Sequence, residues 1–170
     1  VCYQMDVILT QGKKTSAFSA RFGMRNLSTS GSVLMNNGDR IYLRGTLECC
    51  IFPLTGTPPT DKEGWNKVFS VAKAYGLNHL RFHSWCPPQA AFEVADDMGF
   101  YLQVELPLWS LTVGKDTTTN RFLYEEADRI LKEYGNHPSF CLMSVGNELQ
   151  PDFDFLNSLR SYMKSKDNRH

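Results

Sequence analysis

Hydrophobic residues recur along the chain with a period that changes partway through. Tyr3, Met5, Val7 and Leu9 alternate with polar residues, the period of a half-buried strand. Gln11-Gly12-Lys13-Lys14 reads as a turn, and Ala17 to Met24 as a second strand. A two-stranded hairpin does not make a stable domain alone, so residues 1–27 are expected to be the tail of a larger β-sandwich. Asn37-Gly38 then lies between the apolar runs of residues 31–36 and 39–43, a strong short-range hairpin signal.

From Arg44 onward, short apolar runs alternate with segments of helical period. The runs are Arg44 to Glu48, Leu77 to His83, Phe100 to Val104 and Ser139 to Val145. Between them, Thr60-Asp61-Lys62-Glu63 reads as a capping box opening a helix to Tyr75, with Trp65, Val68, Phe69 and Ala72 on its core face. A second helix spans Pro88 to Met98, with Phe92, Val94 and Ala95 inward, Asp96 and Asp97 on the solvated face, and Gly99 as its cap. Thr112 to Asn120 is polar and Thr-rich, as a mobile loop would be, and Arg121 to Glu133 is an amphipathic helix. Gly135 is expected to end that helix in the left-handed conformation. Phe153, Leu156, Leu159 and Met163 mark a fourth helix, and Lys164 to His170 is charged and featureless. Four strand–helix units in succession mean a parallel sheet.

In such sheets the carboxyl ends of the strands carry ligands and chemistry, so the residues at those ends matter most. The run from Ser139 stops at Gly146 and presents Asn147 and Glu148 side by side. A Glu there can have its pKa raised by its surroundings and act as a general acid. The competing reading is that Glu148 caps the next helix, opened by Pro151 and Asp152. Arg81, inside an apolar strand, is costly unless it meets a carboxylate. His83 and Trp85 end that strand with groups suited to a sugar, an imidazole for hydrogen bonds and an aromatic for stacking. Glu105, followed by Leu106-Pro107-Leu108-Trp109, ends the third strand and can pair with Arg81. Glu48 faces either the same pocket or solvent.

Composition narrows the picture. Hydrophobic residues make up 42% and charged residues 21%, with 18 basic against 18 acidic side chains. No net field favours nucleic acid or an anionic membrane, and no stretch approaches the ~20 apolar residues of a membrane span. No partner of either kind is expected. No charged-then-apolar leader opens the sequence, and since it starts in what reads as mid-domain, this says nothing about export of a longer parent. The five cysteines, Cys2, Cys49, Cys50, Cys86 and Cys141, show neither zinc-ligand spacing nor disulfide-scaffold density. They read as buried and mostly reduced.

The stretch Asn136-His137-Pro138-Ser139, an apolar strand, then Ser144-Val145-Gly146-Asn147-Glu148 closely resembles the acid/base strand of glycoside hydrolase family 2, the β-galactosidase, β-glucuronidase and β-mannosidase family. Arg21-Phe22-Gly23-Met24-Arg25 resembles that family's sandwich-closing Arg-Phe-Gly-Phe-Arg, with Met for the second Phe. The Asn37-Gly38 hairpin resembles its barrel-entrance hairpin, which plugs the barrel bottom. Leu77 to His83 resembles its second barrel strand. There are departures. At Arg44-Gly45-Thr46-Leu47-Glu48 the family typically reads Arg-Gly-Val-Asn, often followed by a His; this chain continues Leu47-Glu48-Cys49-Cys50, so that His is absent or displaced, and His83-Ser84-Trp85 differs from the commoner Ser-His-Tyr-Pro order.

The resemblance implies an α/β fold: a partial (β/α)8 TIM barrel of about four βα units over residues 28–170, preceded at residues 1–27 by the last strands of an immunoglobulin-like sandwich. A full barrel takes ~250 residues, so the chain reads as a fragment of a longer retaining glycosidase acting on an oligo- or polysaccharide. Glu148 is then the catalytic acid/base, and the nucleophile lies on a later strand. The implied substrate-binding set is Asn147, Arg81, His83, Trp85, Glu105 and Trp109, with Asn147 on the sugar 2-hydroxyl and Arg81 orienting the carboxylates. In the galactosidase branch the Glu matching Glu105 helps hold a divalent metal, but the accompanying ligands are not recognisable, so no metal or other cofactor is expected. A half-barrel with open edges is expected to self-associate. The rival readings are a non-catalytic carbohydrate-binding or scaffold half-barrel, and another retaining (β/α)8 family.

Overall fold

The computed structural model describes residues 2–150 and 152–169. Strands β1 (Cys2–Gln11) and β2 (Lys14–Gly23) pair antiparallel from Cys2↔Gly23 to Gln11↔Lys14, close to the expected hairpin. Its expected half-buried face is not covered: Tyr3, Met5, Val7 and Leu9 are all exposed. Alternation on this hairpin therefore marks a face with no partner among the described residues. Among the described residues it is held at its base. The Arg21 guanidinium meets Asp97 at 2.5 Å, and Gly23 lies so close to the Pro138 ring that a side chain there would collide with it.

Strands β3 (Leu27–Ser30), β4 (Val33–Asn36) and β5 (Asp39–Arg40) form a small antiparallel sheet, with the β4–β5 turn at Asn37-Gly38 as expected. Asn37 adopts φ 53° and Gly38 φ 89°, the left-handed pair that a two-residue hairpin turn demands.

The main sheet has four parallel strands in sequence order, β6 (Gly45–Glu48), β7 (His79–Phe82), β8 (Tyr101–Glu105) and β9 (Phe140–Ser144). Helices α1 (Lys62–Ala74), α2 (Gln89–Met98) and α3 (Thr117–Tyr134) connect them, and α4 (Phe153–Lys166) follows β9. Register runs Gly45↔His79, His79↔Tyr101 and Glu105↔Ser144. β7 to β9 are largely buried; β9 is an apolar run, whereas β7 (His-Leu-Arg-Phe) and β8 (Tyr-Leu-Gln-Val-Glu) alternate apolar residues with polar ones. The core between sheet and helices contains Trp65, Phe69, Phe82, Phe92, Leu102, Phe140 and Leu159, each with no exposed surface.

Several local expectations are corrected. Asp61, not Thr60, caps α1 by accepting from the Gly64 N–H at 2.8 Å. Asp116 caps α3 by accepting from Thr119 N–H at 2.6 Å, so the polar run 117–120 is helical rather than a mobile loop. Gly135 is right-handed at φ −57°. Glycine is needed there because a Cβ would run into the Leu131 carbonyl oxygen. α4 continues to Lys166, capped by Asp152. Pro151, read from sequence as an opening residue of that helix, lies outside the described residues. Cys49 and Cys50 are exposed, not buried; Cys141 is buried, and burial pushes its thiol up to about 11.

Asp96 is the largest departure. Instead of facing solvent, its carboxylate accepts from His137 Nδ1 at 2.6 Å and from the Ser139 N–H at 2.9 Å. The Asn-His-Pro-Ser stretch is thus a clasp that ties the start of β9 to the end of α2. His137 also stacks on Phe92, ring centroids 5.3 Å apart. Replacing Asp96 by Ala strands these donors, so it is expected to cost about 2 kcal/mol. The same change at neighbouring Asp97, whose side chain is 53% exposed, should cost well under 1 kcal/mol, on the order of a surface pair. Urea unfolding of the two variants checks the contrast; equal losses would remove the clasp.

Candidate active site

The chain does not stop pairing where β8 and β9 end. Leu106 N–H donates to Ser144 O at 3.0 Å, Asn147 N–H to Leu108 O at 3.0 Å and Gln150 N–H to Ser110 O at 3.2 Å. The two segments therefore run side by side beyond the sheet, which sets Trp109 next to Glu148. Gly146 makes this approach possible. It sits at φ 141°, and a Cβ there would collide with the Leu108 carbonyl oxygen.

Asn147 is 9% exposed, whereas Glu148 is exposed and adopts φ 46°. Left-handed backbone is costly for a non-glycine residue and gathers at functional sites. Besides the hairpin residue Asn37, the described non-glycine residues with positive φ are Cys50, Ser84 and Glu148. Each follows the carboxyl end of a parallel strand. The Trp109 indole N–H donates to Glu148 Oε2 at 3.1 Å. The His83 ring stands edge-on to Trp109, centroids 5.1 Å apart and planes at 79°.

Beneath this pair lies a buried polar chain. Arg81 Nε donates to Glu105 Oε1 at 2.6 Å, and Arg81 Nη2 donates to Asn147 Oδ1 at 2.7 Å. The second oxygen of Glu105 accepts from the Ser84 N–H at 2.8 Å. Glu105 has no exposed side-chain surface, and Arg81 supplies the opposite charge that such burial requires. Arginine only donates, so its contact fixes which end of the Asn147 amide is which. The oxygen is held by Arg81, and the NH2 group is free to donate to a ligand.

The structure thus brings Arg81, Glu105, Asn147, Glu148, Trp109 and His83 into one group. Trp85 stands apart. It packs on Phe82 and Trp65, centroids 5.4 and 6.3 Å away, and its indole N–H donates to the Glu48 carbonyl at 3.2 Å. Glu48 does not reach toward Glu148 either. Its carboxylate folds back onto the Cys50 N–H, 3.1 Å from each oxygen, and desolvation pushes its pKa up. The donor set does not fit a divalent metal at Glu105. Both its oxygens are engaged, and among the described residues no group of three or more His, Cys, Asp or Glu side chains is placed to hold one. Sequence reasoning missed Ser84 and Leu108, whose parts are played by a backbone N–H and a carbonyl. The tight glycine before Asn-Glu was the only signal for the second.

No protein-family model matches the chain. Two curated protein sequences align with most of it. A protein provisionally named β-glucuronidase from Formosa agariphila is 27% identical over 154 residues, covering 86% of this chain and 18% of that protein. A β-galactosidase from an Arthrobacter species is 22% identical over 141 residues, covering 78% of this chain and 14% of that protein. The chain therefore spans less than a fifth of the length of these relatives. Among solved structures, Parabacteroides merdae β-glucuronidase superposes with TM-score 0.85 at 18% identity, over 99% of this chain and 22% of that one. A glycosyl hydrolase family 2 member from Bacteroides cellulosilyticus superposes with TM-score 0.83 at 22% identity, over 99% of this chain and 24% of that one. The resemblance to glycoside hydrolase family 2 read from the sequence is borne out, and the mixed α/β fold with its parallel sheet matches the corresponding part of these structures.

Proposed function

We propose that this chain is part of a longer retaining glycoside hydrolase, in which Glu148 is the general acid/base. Residues 28–170 are then the first half of a (β/α)8 barrel, and residues 1–27 close an immunoglobulin-like sandwich. Four parallel strands in sequence order, each followed by a helix, support the barrel reading. The observation that carries the function is the pairing at the end of β9. A carboxylate open to solvent stands beside an amide whose oxygen is held by Arg81, which leaves its NH2 as the end available to donate.

Each residue has a chemical task in this reading. Glu148 protonates the glycosidic oxygen as the bond breaks, then takes a proton from the water that releases the sugar. An exposed position suits a group that must meet the leaving group and then water. The Asn147 NH2 donates to the sugar 2-hydroxyl, an interaction that strengthens as charge develops on the ring. Arg81 holds Asn147, and Glu105 holds Arg81. Retaining glycosidases place two carboxyl groups roughly 5–5.5 Å apart, so the nucleophile is supplied by a later strand of the longer protein. His83 and Trp109 form one wall of the sugar site.

The test is a panel of aryl β-glycosides offered to the longer protein, with the product anomer followed by NMR. The expected result is cleavage of one sugar class with retention. Sugar binding without cleavage of any member would replace the enzyme by a carbohydrate-binding scaffold.

A further inference from the structure

The contact between Trp109 and Glu148 does more than shape a wall. Its Nε1–H donates to Oε2 of Glu148 at 3.1 Å, and indole nitrogen can only donate. Oε2 is therefore the accepting oxygen in the ionised and in the protonated carboxyl alike. In the acid form the carbonyl oxygen is the better acceptor, so the contact favours the arrangement with Oε2 as carbonyl and the proton on Oε1. We propose that Trp109 is a positioning residue that assigns the transferable proton of Glu148 to Oε1 and aims that oxygen at the leaving group. This rests on the reading of Glu148 as the acid/base.

The surroundings favour this role over simple stacking. Trp109 is 63% exposed, so its place is not imposed by core packing. It is set by the backbone ladder that runs Leu106–Ser110 beside Ser144–Gln150, and by the His83 ring edge-on to the indole. Among the described residues Glu148 makes no other side-chain hydrogen bond, so loss of the indole N–H leaves both carboxyl oxygens equivalent. The proton would then be carried by either oxygen, and its aim at the leaving group would be lost.

Two variants separate orientation from binding. Trp109→Phe keeps an aromatic face and removes the donor; Trp109→Leu removes both. In the longer enzyme, Trp109→Phe is expected to lower kcat/KM roughly tenfold on alkyl glycosides, whose poor leaving groups need the proton, the scale of one lost hydrogen bond to a charged group. On dinitrophenyl glycosides, which leave unaided, the expected loss is under about twofold. A uniform loss on all leaving groups, carried in KM, would instead make Trp109 a stacking residue and overturn the proposal. The bond itself is read without catalysis, in the longer protein, from the Trp109 indole 1H–15N resonance. That resonance should move as the Glu148 carboxyl titrates, and Glu148→Leu should abolish the movement. A pH-independent resonance would overturn the contact. A moving resonance in a protein that cleaves no glycoside would leave the contact standing and remove the acid/base reading instead.

Discussion

Glu148→Gln in the longer enzyme should slow the release of poor leaving groups by about 10²–10⁴-fold, the usual contribution of a positioned general acid. The fold should not register the change. Glu148 is exposed, glutamine has nearly the same shape, and its amide oxygen can still accept from Trp109 Nε1, which now lies 3.1 Å from Oε2. Thermal unfolding should therefore be unaltered within about 1 °C. On activated aryl glycosides the first step needs little acid, so the sugar is transferred to the nucleophile and the second step becomes limiting. Azide, a nucleophile that needs no general base, should then partly restore turnover and give a glycosyl azide. Unchanged turnover on both substrate types would remove Glu148 from the mechanism, while the fold assignment would stand.

Much of this arrangement is legible in the sequence because it rests on local rules. The Trp65, Phe69 and Ala72 stripe, the Asn37-Gly38 turn and the left-handed Gly99 follow from periodicity and turn chemistry, and the structure has each of them. The partner of Arg81 also follows, since a cation inside an apolar strand needs a carboxylate and Glu105 ends the neighbouring strand. What the sequence hides depends on residues far apart in the chain. Asp96 looks like any acid on a polar helix face until His137 and Ser139 arrive from the start of β9. Trp85 and Trp109 look alike as aromatics beyond a strand end. The left-handed turn at Ser84, φ 58°, breaks the alternation that would have aimed Trp85, and it packs on Trp65 instead. The apolar face of the β1–β2 hairpin was readable as a pattern, but a pattern does not say what covers it.

Arg81→Met should be strongly destabilising, about 3–5 kcal/mol, because it leaves a buried carboxylate without its cation. Glu105 has no exposed side-chain surface, and Arg81 Nε lies 2.6 Å from it. The remaining donors, the Ser84 N–H at 2.8 Å and the Gln103 amide at 3.4 Å, are neutral. For a domain of this size the loss corresponds to a fall in Tm of roughly 6–20 °C. Arg81→Lys should not rescue it fully. Arg81 uses Nε for Glu105 and Nη2 for Asn147 at the same time, and a single ammonium cannot span both acceptors in that geometry. The double variant Arg81→Met with Glu105→Leu removes both charges from the interior, and should recover much of the loss, since a buried pair is often replaceable by apolar side chains of similar volume. It should not recover activity. With Arg81 gone, nothing that only donates holds Asn147 Oδ1, and the amide is free to turn its oxygen toward the sugar. Stability restored without catalysis would separate the two duties of Arg81, balancing Glu105 and orienting Asn147. Restoration of both would mean that Asn147 is held by its backbone alone, and a loss under about 1 kcal/mol for Arg81→Met would mean that Glu105 does not need its cation.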